Sequence, residues 1–271
     1  MRTRIIFSLK NKGAILPFHH QQLISKLLES LLLSSGQCAN IKESMLSISF
    51  SGIKGQTKVG KSGLHYCSNK LTLVISGIDE NVLTLIINEL FKHKKMMIGK
   101  LEVIPEEVII EDIGLLNVET KYLCISPIIV SKSETYNTQD IDLFSDLLSD
   151  LLYDSVMQKI ESLNLFQHHD LNEFSNFQIV VDKEYITKAV KNNKKFSRIY
   201  KIENSKGEKK EYIGYTFPFK LYAHPKIQEL VLSCGIGEFT DKGFGMLDLV
   251  EKKSKLIPFE IGQENTILAM V

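Results

Sequence analysis

The sequence predicts an α+β chain built from two successive β-α-β-β-α-β units. Three observations carry that prediction. Apolar residues recur at helical spacing in a few well-separated stretches; short β-rich runs stand before, between and after them; and the second half of the chain repeats the order of the first. In the first unit, residues 2–9 (RTRIIFSL) read as a strand, followed by a Lys-Asn-Lys-Gly turn and Pro17. A helix is expected over 20–35, where Leu23, Ile24, Leu27, Leu28, Leu31 and Leu32 make one stripe, and Gly36 ends it. Residues 45–50 (MLSISF) alternate apolar and serine positions as a strand does, and 71–75 form another. A second helix spans 80–93, with Asp79 at its N-cap and Val82, Leu83, Ile86, Ile87, Leu90 and Phe91 on its inner face. Residues 100–110 (KLEVIPEEVII) close the unit as extended chain.

The second unit is predicted the same way: a strand at 122–130, a long helix at 141–163, strands at 177–181 and 211–222, a short helix opened by Pro225, and a last strand at 244–250. Two β-α-β-β-α-β units imply tandem ferredoxin-like (RRM-like) domains, each with helices on one face of an antiparallel sheet. The boundary is expected in residues 112–121, giving domains 1–115 and 116–271. The polar stretch 183–210 is longer than a hairpin needs and is expected to form an extended arm.

Composition narrows the class little. The 271 residues are 44% hydrophobic and 24% charged, as in ordinary globular chains, and 33 Lys+Arg against 32 Asp+Glu leave a net charge of +1. Partners therefore depend on where the charges lie. Cys38, Cys67, Cys124 and Cys234 are scattered without a C-x-x-C pair, so neither a zinc site nor a disulfide framework is expected. No apolar run has membrane-span length, and the N-terminus lacks the apolar core of a signal peptide; a cytoplasmic protein is expected.

Residues 55–62, GQTKVGKS, match G-x-x-x-x-G-K-[ST], the string whose amides and lysine cradle nucleotide phosphates between a strand and a helix. Here Gly63 and Ser68-Asn69 interrupt any helix, so the loop is expected to join two strands, without the helix N-terminus that holds phosphate. A nucleotide triphosphatase reading, with 179–182 (IVVD) as a magnesium-binding strand end, is the least supported one.

A second glycine-rich stretch, CGIGEFTDKGFGML at 234–247, holds Gly235, Gly237, Gly243 and Gly245, with Lys242 between the pairs. Such glycine density suits backbone amides approaching phosphate, with Ile236 and Phe244 as inward anchors. A wide surface loop with a bulge is the alternative.

The pattern G-h-G-x5-G-h-G resembles that of the CRISPR-associated repeat-processing endoribonucleases of the RAMP superfamily, the Cas six family. The RxR strand followed by LPFHHQQLISKLLESLL, and the strand Ser126-Pro127-Ile128-Ile129-Val130, are similar to that family's opening and to the start of its second unit. The resemblance implies CRISPR repeat RNA (precursor crRNA) as partner and its cleavage within repeats without metal or other cofactor. A ribose 2′-hydroxyl would attack the adjacent phosphate and leave a 2′,3′-cyclic end. CRISPR effector complex subunits and a second copy of the chain are further partners it admits. A non-catalytic repeat-binding protein, or a structural RAMP subunit of an effector complex, is the alternative.

That chemistry needs a base with a pKa near working pH and cations for the phosphorane charge. The resemblance also implies a histidine just beyond the first helix, and 36–47 (GQCANIKESMLS) has none. His20 and His19, at the start of the first helix, are the candidates for base; Lys26 and Lys42, with Lys58 or Lys61, would make a lysine-based site. His65 and His224 read as structural, and His168-His169-Asp170 lacks metal-ligand spacing. For RNA binding, the stretch 191–210 offers Lys191, Lys194, Lys195, Arg198, Lys201, Lys206, Lys209 and Lys210 with Phe196 and Tyr200 interleaved, suited to phosphate contact and base stacking. Lys54, Lys58 and Lys61 stand in a stretch without an acidic residue, from 50 to 61.

Overall fold

In a computed structural model of the chain, residues 1–130, 142–166, 174–203, 207–251 and 255–259 are described. The first half runs β1 (Arg2–Leu9), β2 (Ile15–Leu16), α1 (Gln21–Ser35), α2 (Ile41–Leu46), β3 (Ile48–Phe50), β4 (Thr57–Val59), β5 (Leu64–Tyr66), β6 (Lys70–Gly77), α3 (Glu80–Lys92), β7 (Met96–Ile98) and β8 (Leu101–Asp112). The second runs β9 (Glu119–Cys124), β10 (Ile128–Ile129), α4 (Asp146–Leu163), β11 (Phe177–Val181), α5 (Lys183–Lys191), β12 (Ser197–Glu203), β13 (Lys209–Tyr215), β14 (Phe219–Ala223), α6 (Pro225–Cys234), β15 (Leu247–Leu249) and β16 (Lys255–Pro258).

Both units have the ferredoxin-like strand order. The first sheet reads β8-β1-β6-β3, with β16 and β7 added along the outer edge of β8, and the second reads β15-β9-β14-β11. Each is the order fourth, first, third, second, and the pairs are antiparallel. Periodicity explains the packing. The α1 stripe of Ile24, Leu28, Leu31 and Leu32 lies buried with Ile5 and Phe7 of β1 and with Leu83 and Ile86 of α3 in one core. Leu152 and Val156 of α4, Leu221 of β14 and Val231 of α6 belong to the other.

The two units meet along polar bonds. Ser49 Oγ donates to the Ser233 carbonyl oxygen at 2.8 Å and Cys234 Sγ to that of Ser47 at 3.2 Å. On the other side Arg2, buried, gives Nε to Glu111 at 2.8 Å and Nη1 to the Leu247 carbonyl at 3.0 Å, and it lies 3.3 Å from Asp248. Arg4 also pairs with Glu111.

Five expectations change. Residues 41–46, expected as loop and strand start, form α2, because Asn40 accepts from the Glu43 amide at 3.3 Å and its amide group reaches back to the Glu43 carboxylate. The strand at 122–130 breaks into β9 and β10 at Ser126-Pro127, and the one at 211–222 into β13 and β14 at Pro218, since proline has no N–H for a ladder. The extended arm is instead α5 followed by the hairpin β12–β13, which forms a separate three-stranded sheet with β10. Asp182, read as a magnesium ligand, caps α5 by accepting from the Tyr185 amide at 2.9 Å. His168, His169 and Asp170, and Lys206 of the arm, lie outside the described residues.

Candidate nucleic-acid interface

His19 and His20 are neighbours in sequence with opposite surroundings. His20 is 5% exposed. Its Nε2 accepts from the Ile53 amide at 3.0 Å, which leaves the proton on Nδ1, 3.1 Å from the Pro17 carbonyl oxygen that receives it. Burial holds its pKa below the ordinary value, with the Pro17 bond opposing and His19 adding to the fall. Both ring nitrogens are occupied, and the expected catalytic role for His20 gives way to a structural one: it ties the entry of α1 to the chain after β3. Gly52 is needed beside it, since a Cβ there would stand 2.8 Å from Nε2.

His19 is exposed. Its ring meets Tyr200 edge-on, centroids 4.5 Å apart. Partial burial lowers its pKa, and the Arg198 guanidinium lowers it further, so the imidazole is neutral at pH 7 and able to take a proton. Arg198 and Tyr200 lie two apart on β12 and so share one face. Gln22, in the first turn of α1, reaches the Lys201 carbonyl at 3.4 Å, which seats the start of the helix along β12. Lys26 follows on the same stripe of α1, about 10 Å from His19 along the axis, and is exposed.

The glycine-rich stretch is not the open phosphate cradle that its composition suggests. Gly235, Gly237, Gly243 and Gly245 are all buried. Their neighbourhood spends its amides within the protein: Ile236 N–H on the Gly245 carbonyl, Gly237 N–H on Ser155 Oγ, Glu238 N–H on Ile129, Gly245 N–H on Pro127 and Met246 N–H on Ser126 Oγ, at 2.7–3.2 Å. The expected RNA contacts of these four glycines are therefore corrected. Their lack of side chains serves chain-on-chain packing: a Cβ on Gly243 would lie 2.5 Å from the Phe50 ring, and Gly245, at φ 69°, would drive one into the Ile236 carbonyl. Two of the acceptors, Pro127 and Ser126, belong to the Ser-Pro step, which explains why that step and the glycines occur together.

Beneath this turn lies Lys159 of α4, which is not among the residues that sequence singles out. Its Nζ donates to the carbonyls of Cys234 and Gly235 at 2.7 and 3.1 Å and to Thr240 Oγ1 at 2.9 Å. Burial pulls its pKa down to about 8, against the opposing influence of Cys234 and Asp241. A lone lysine on an apolar helix face carries no sequence signal; only the fold brings its acceptors together.

The remaining cations are at the surface. Lys194, Lys195 and Arg198 line a groove with Val190, Phe196 and Ile199, between α5 and the hairpin. The aromatic residues there are not free platforms: Tyr200 is buried between His19 and Phe244, and Phe196 is half-buried. Lys242 reaches the Glu203 carbonyl at 2.6 Å and lies over the Phe239 ring. Lys58 stands exposed on β4, paired with His65 in register, and Lys61 sits in the turn that joins β4 to β5, closed by the Gly60 amide on the Gly63 carbonyl at 2.9 Å. Strand, turn and strand follow one another there, as expected, with no helix. Lys42 is exposed in the first turn of α2. His224 accepts from the Lys226 amide at 3.2 Å as the N-cap of α6. The structure thus brings His19, Lys26, Arg198 and Lys242 along the seam of α1, β12 and the glycine-rich turn, with Lys194 and Lys195 flanking Arg198, and leaves Lys42, Lys58 and Lys61 elsewhere. Among the described residues no helix is long and apolar enough to cross a membrane, and no three His, Cys, Asp or Glu side chains cluster as metal ligands.

Comparison with known families decides the kinship. The model of the CRISPR associated protein Cas6, C-terminal region matches residues 110–249. The chain belongs to the Cas6 family. Among solved structures, the Cas6 chain here is similar to an RAMP protein binding different RNA substrates, with 20% identity, a TM-score of 0.74, and 93% of this chain and 100% of that one covered. A Cas6-related protein from Pyrococcus furiosus matches equally well in shape, at 18% identity, TM-score 0.74, and coverage of 93% and 98%. A Cas6 product complex shares the fold at 13% identity and a TM-score of 0.55, over 91% and 99% of the two chains. No curated protein sequence matches. At these identities the structures speak for the tandem ferredoxin-like fold.

Proposed function

We propose that this Cas6 chain binds CRISPR repeat RNA and cuts precursor crRNA within its repeats by 2′-hydroxyl attack. His19 takes the 2′-hydroxyl proton, the O2′–P bond forms as the P–O5′ bond breaks, and the 5′-oxygen leaves with a proton from solvent, giving a 2′,3′-cyclic phosphate and a 5′-hydroxyl. Arg198, beside the imidazole, stabilises the charge on the phosphorane oxygens. The observation that carries this reading is the exposed His19, its ring set edge-on against Tyr200 of β12, with Arg198 two residues away on the same face of that strand, at the seam between the two units. Residues 1–115 would supply the base, and 116–271 the cationic arm, although β16 returns to the first sheet.

Lys194 and Lys195 extend the cationic surface from Arg198 along the groove and would take backbone phosphates, with Lys58 and Lys61 as a second phosphate-binding patch. Incubating the purified protein with its repeat RNA in EDTA tests the reading. A product with a cyclic phosphate end is expected. RNA that is bound and left intact would instead support the second reading, a non-catalytic repeat-binding protein or structural RAMP subunit, which the absence of histidine from residues 36–47 favours.

A further inference from the structure

The cleavage proposed above needs groups from two units to stay in register: His19 precedes α1 of the first, while Arg198 and Tyr200 stand on β12 of the second. The glycine-rich turn touches both. Toward α1, the Asp241 carbonyl accepts from Ser25 Oγ at 2.8 Å, and Gly243 packs against Gln21. Toward the hairpin, Phe244 meets the Tyr200 ring edge-on at 5.2 Å, and Lys242 Nζ donates to the Glu203 carbonyl. Tyr200 in turn holds the His19 ring.

The turn is itself held from below by one side chain. Lys159 reaches out of α4 with three donors, and all three find acceptors where the turn begins and doubles back: two carbonyls at the end of α6 and the Thr240 hydroxyl. A cation at the C-terminal end of a helix is favourably placed for the carbonyl dipoles. With the ammonium gone, two buried carbonyls lose this donor, and the 3-10 turn Thr240–Lys242, which carries Asp241 and leads into Phe244, loses its anchor.

We propose that Lys159 is a positioning residue, which holds the glycine-rich turn in the shape that sets His19 of the first unit against Arg198 and Tyr200 of the second. This rests on His19 as the base, but its structural half can be read without cleavage. The test is Lys159→Met in the full chain, with His19 followed by a proton NMR pH titration and its resonances identified by their loss in His19→Ala. In the variant, the His19 midpoint should rise toward the ordinary histidine value and its ring-current shift from Tyr200 should shrink. With repeat RNA, kcat should fall by about tenfold or more while KM stays within about twofold, since the arm's lysines are untouched. An unchanged midpoint and ring shift overturn the proposal, whatever the rate. If Lys159→Met does not fold, Thr240→Val, which removes one acceptor, decides by the same titration: a smaller shift in the same direction is expected, and none overturns it. A wild-type protein that leaves RNA intact, yet shows the His19 shift in the variant, would sink the cleavage reading and leave the positioning role standing.

Discussion

Residues 55–63 and 235–245 are both rich in glycine and both carry lysine, and in sequence each suits a phosphate. In the fold they diverge. The first is the tip of an exposed ribbon, with Lys58 and Lys61 in solvent; the second is buried, its amides paired with Pro127, Ile129 and Ser155, and its lysine tied to the hairpin. The difference teaches that glycine density reports a close backbone approach without saying what approaches. In the ribbon Gly60 leaves room for the His65 side chain, and Gly63 at its base for the Leu16 carbonyl of β2; in the second stretch all four glycines leave room for the rest of the protein.

Stability should separate the two stretches most sharply. Gly245→Ala puts a side chain at φ 69° and into the Ile236 carbonyl, where the backbone cannot yield; a loss of at least about 3 kcal/mol is expected from strain and collision together. Gly60→Ala meets only the end of the His65 ring and is expected to cost under about 1 kcal/mol. Urea unfolding of both variants makes the measurement. Equal losses would mean that the buried stretch is looser than its packing indicates.

The histidine pair offers the same contrast of buried support and exposed chemistry. His19→Ala should lower cleavage about a hundredfold or more with unfolding unchanged. His20→Ala should lower stability by about 1–3 kcal/mol, because the Ile53 amide keeps no acceptor. Full cleavage by His19→Ala would hand the base to Lys26 or Lys42.

Charge reversal compares the arm with the ribbon directly. Lys194→Glu with Lys195→Glu should weaken RNA binding and flatten the slope of log affinity against log salt by about 1.4, roughly 0.7 for each single-stranded phosphate that is no longer neutralised. Lys58→Glu with Lys61→Glu should do the same more weakly, because the arm groups Lys194 and Lys195 with Arg198 in one groove, whereas the ribbon offers its two lysines alone. A ribbon pair that costs more than the arm pair would relocate the main RNA track.

What the sequence disclosed followed from periodicity. The stripes of α1, α3 and α4 and the alternation of β1 are local signals, and together with their repetition they yield the double ferredoxin-like order. Asn40 and Glu43 form a readable cap for α2, and Asp182 one for α5, with the Glu184–Lys188 pair one turn apart inside it, but both helices are short and bury few apolar residues, so the stripe was faint. The site was legible only in part. His19 and Arg198 stand out as chemistry-bearing residues, whereas their juxtaposition through Tyr200 links residues 19 and 200 across two units. Nothing in HH distinguishes the two rings; the partners that do so are Ile53 and Pro17, one of them beyond the helix. Lys159 was invisible for the same reason, since its acceptors lie 75–81 residues away.

The finest test concerns the pH dependence that the seam imposes. His19 has a lowered pKa, with burial as the larger cause and Arg198 as the second. A base of this kind is active when neutral, so kcat/KM should hold at pH 7 and fall on the acid side only below about pH 6.5, the ordinary histidine value. Arg198→Ala removes the second cause and leaves the first, so the acid limb should move up in pH while remaining below that of a free histidine. The rate at its plateau should fall as well, since the proposed role of the guanidinium is to stabilise the phosphorane. Stability follows the same sign: His19 and His20 both have lowered folded pKa values, so the unfolded chain takes up protons first as pH drops, and stability present above about 6.5 is lost below it. Arg198→Ala should leave the His20 share of that loss intact. A variant whose rate falls without any shift of the limb would leave Arg198 the phosphate and take His19 away from it.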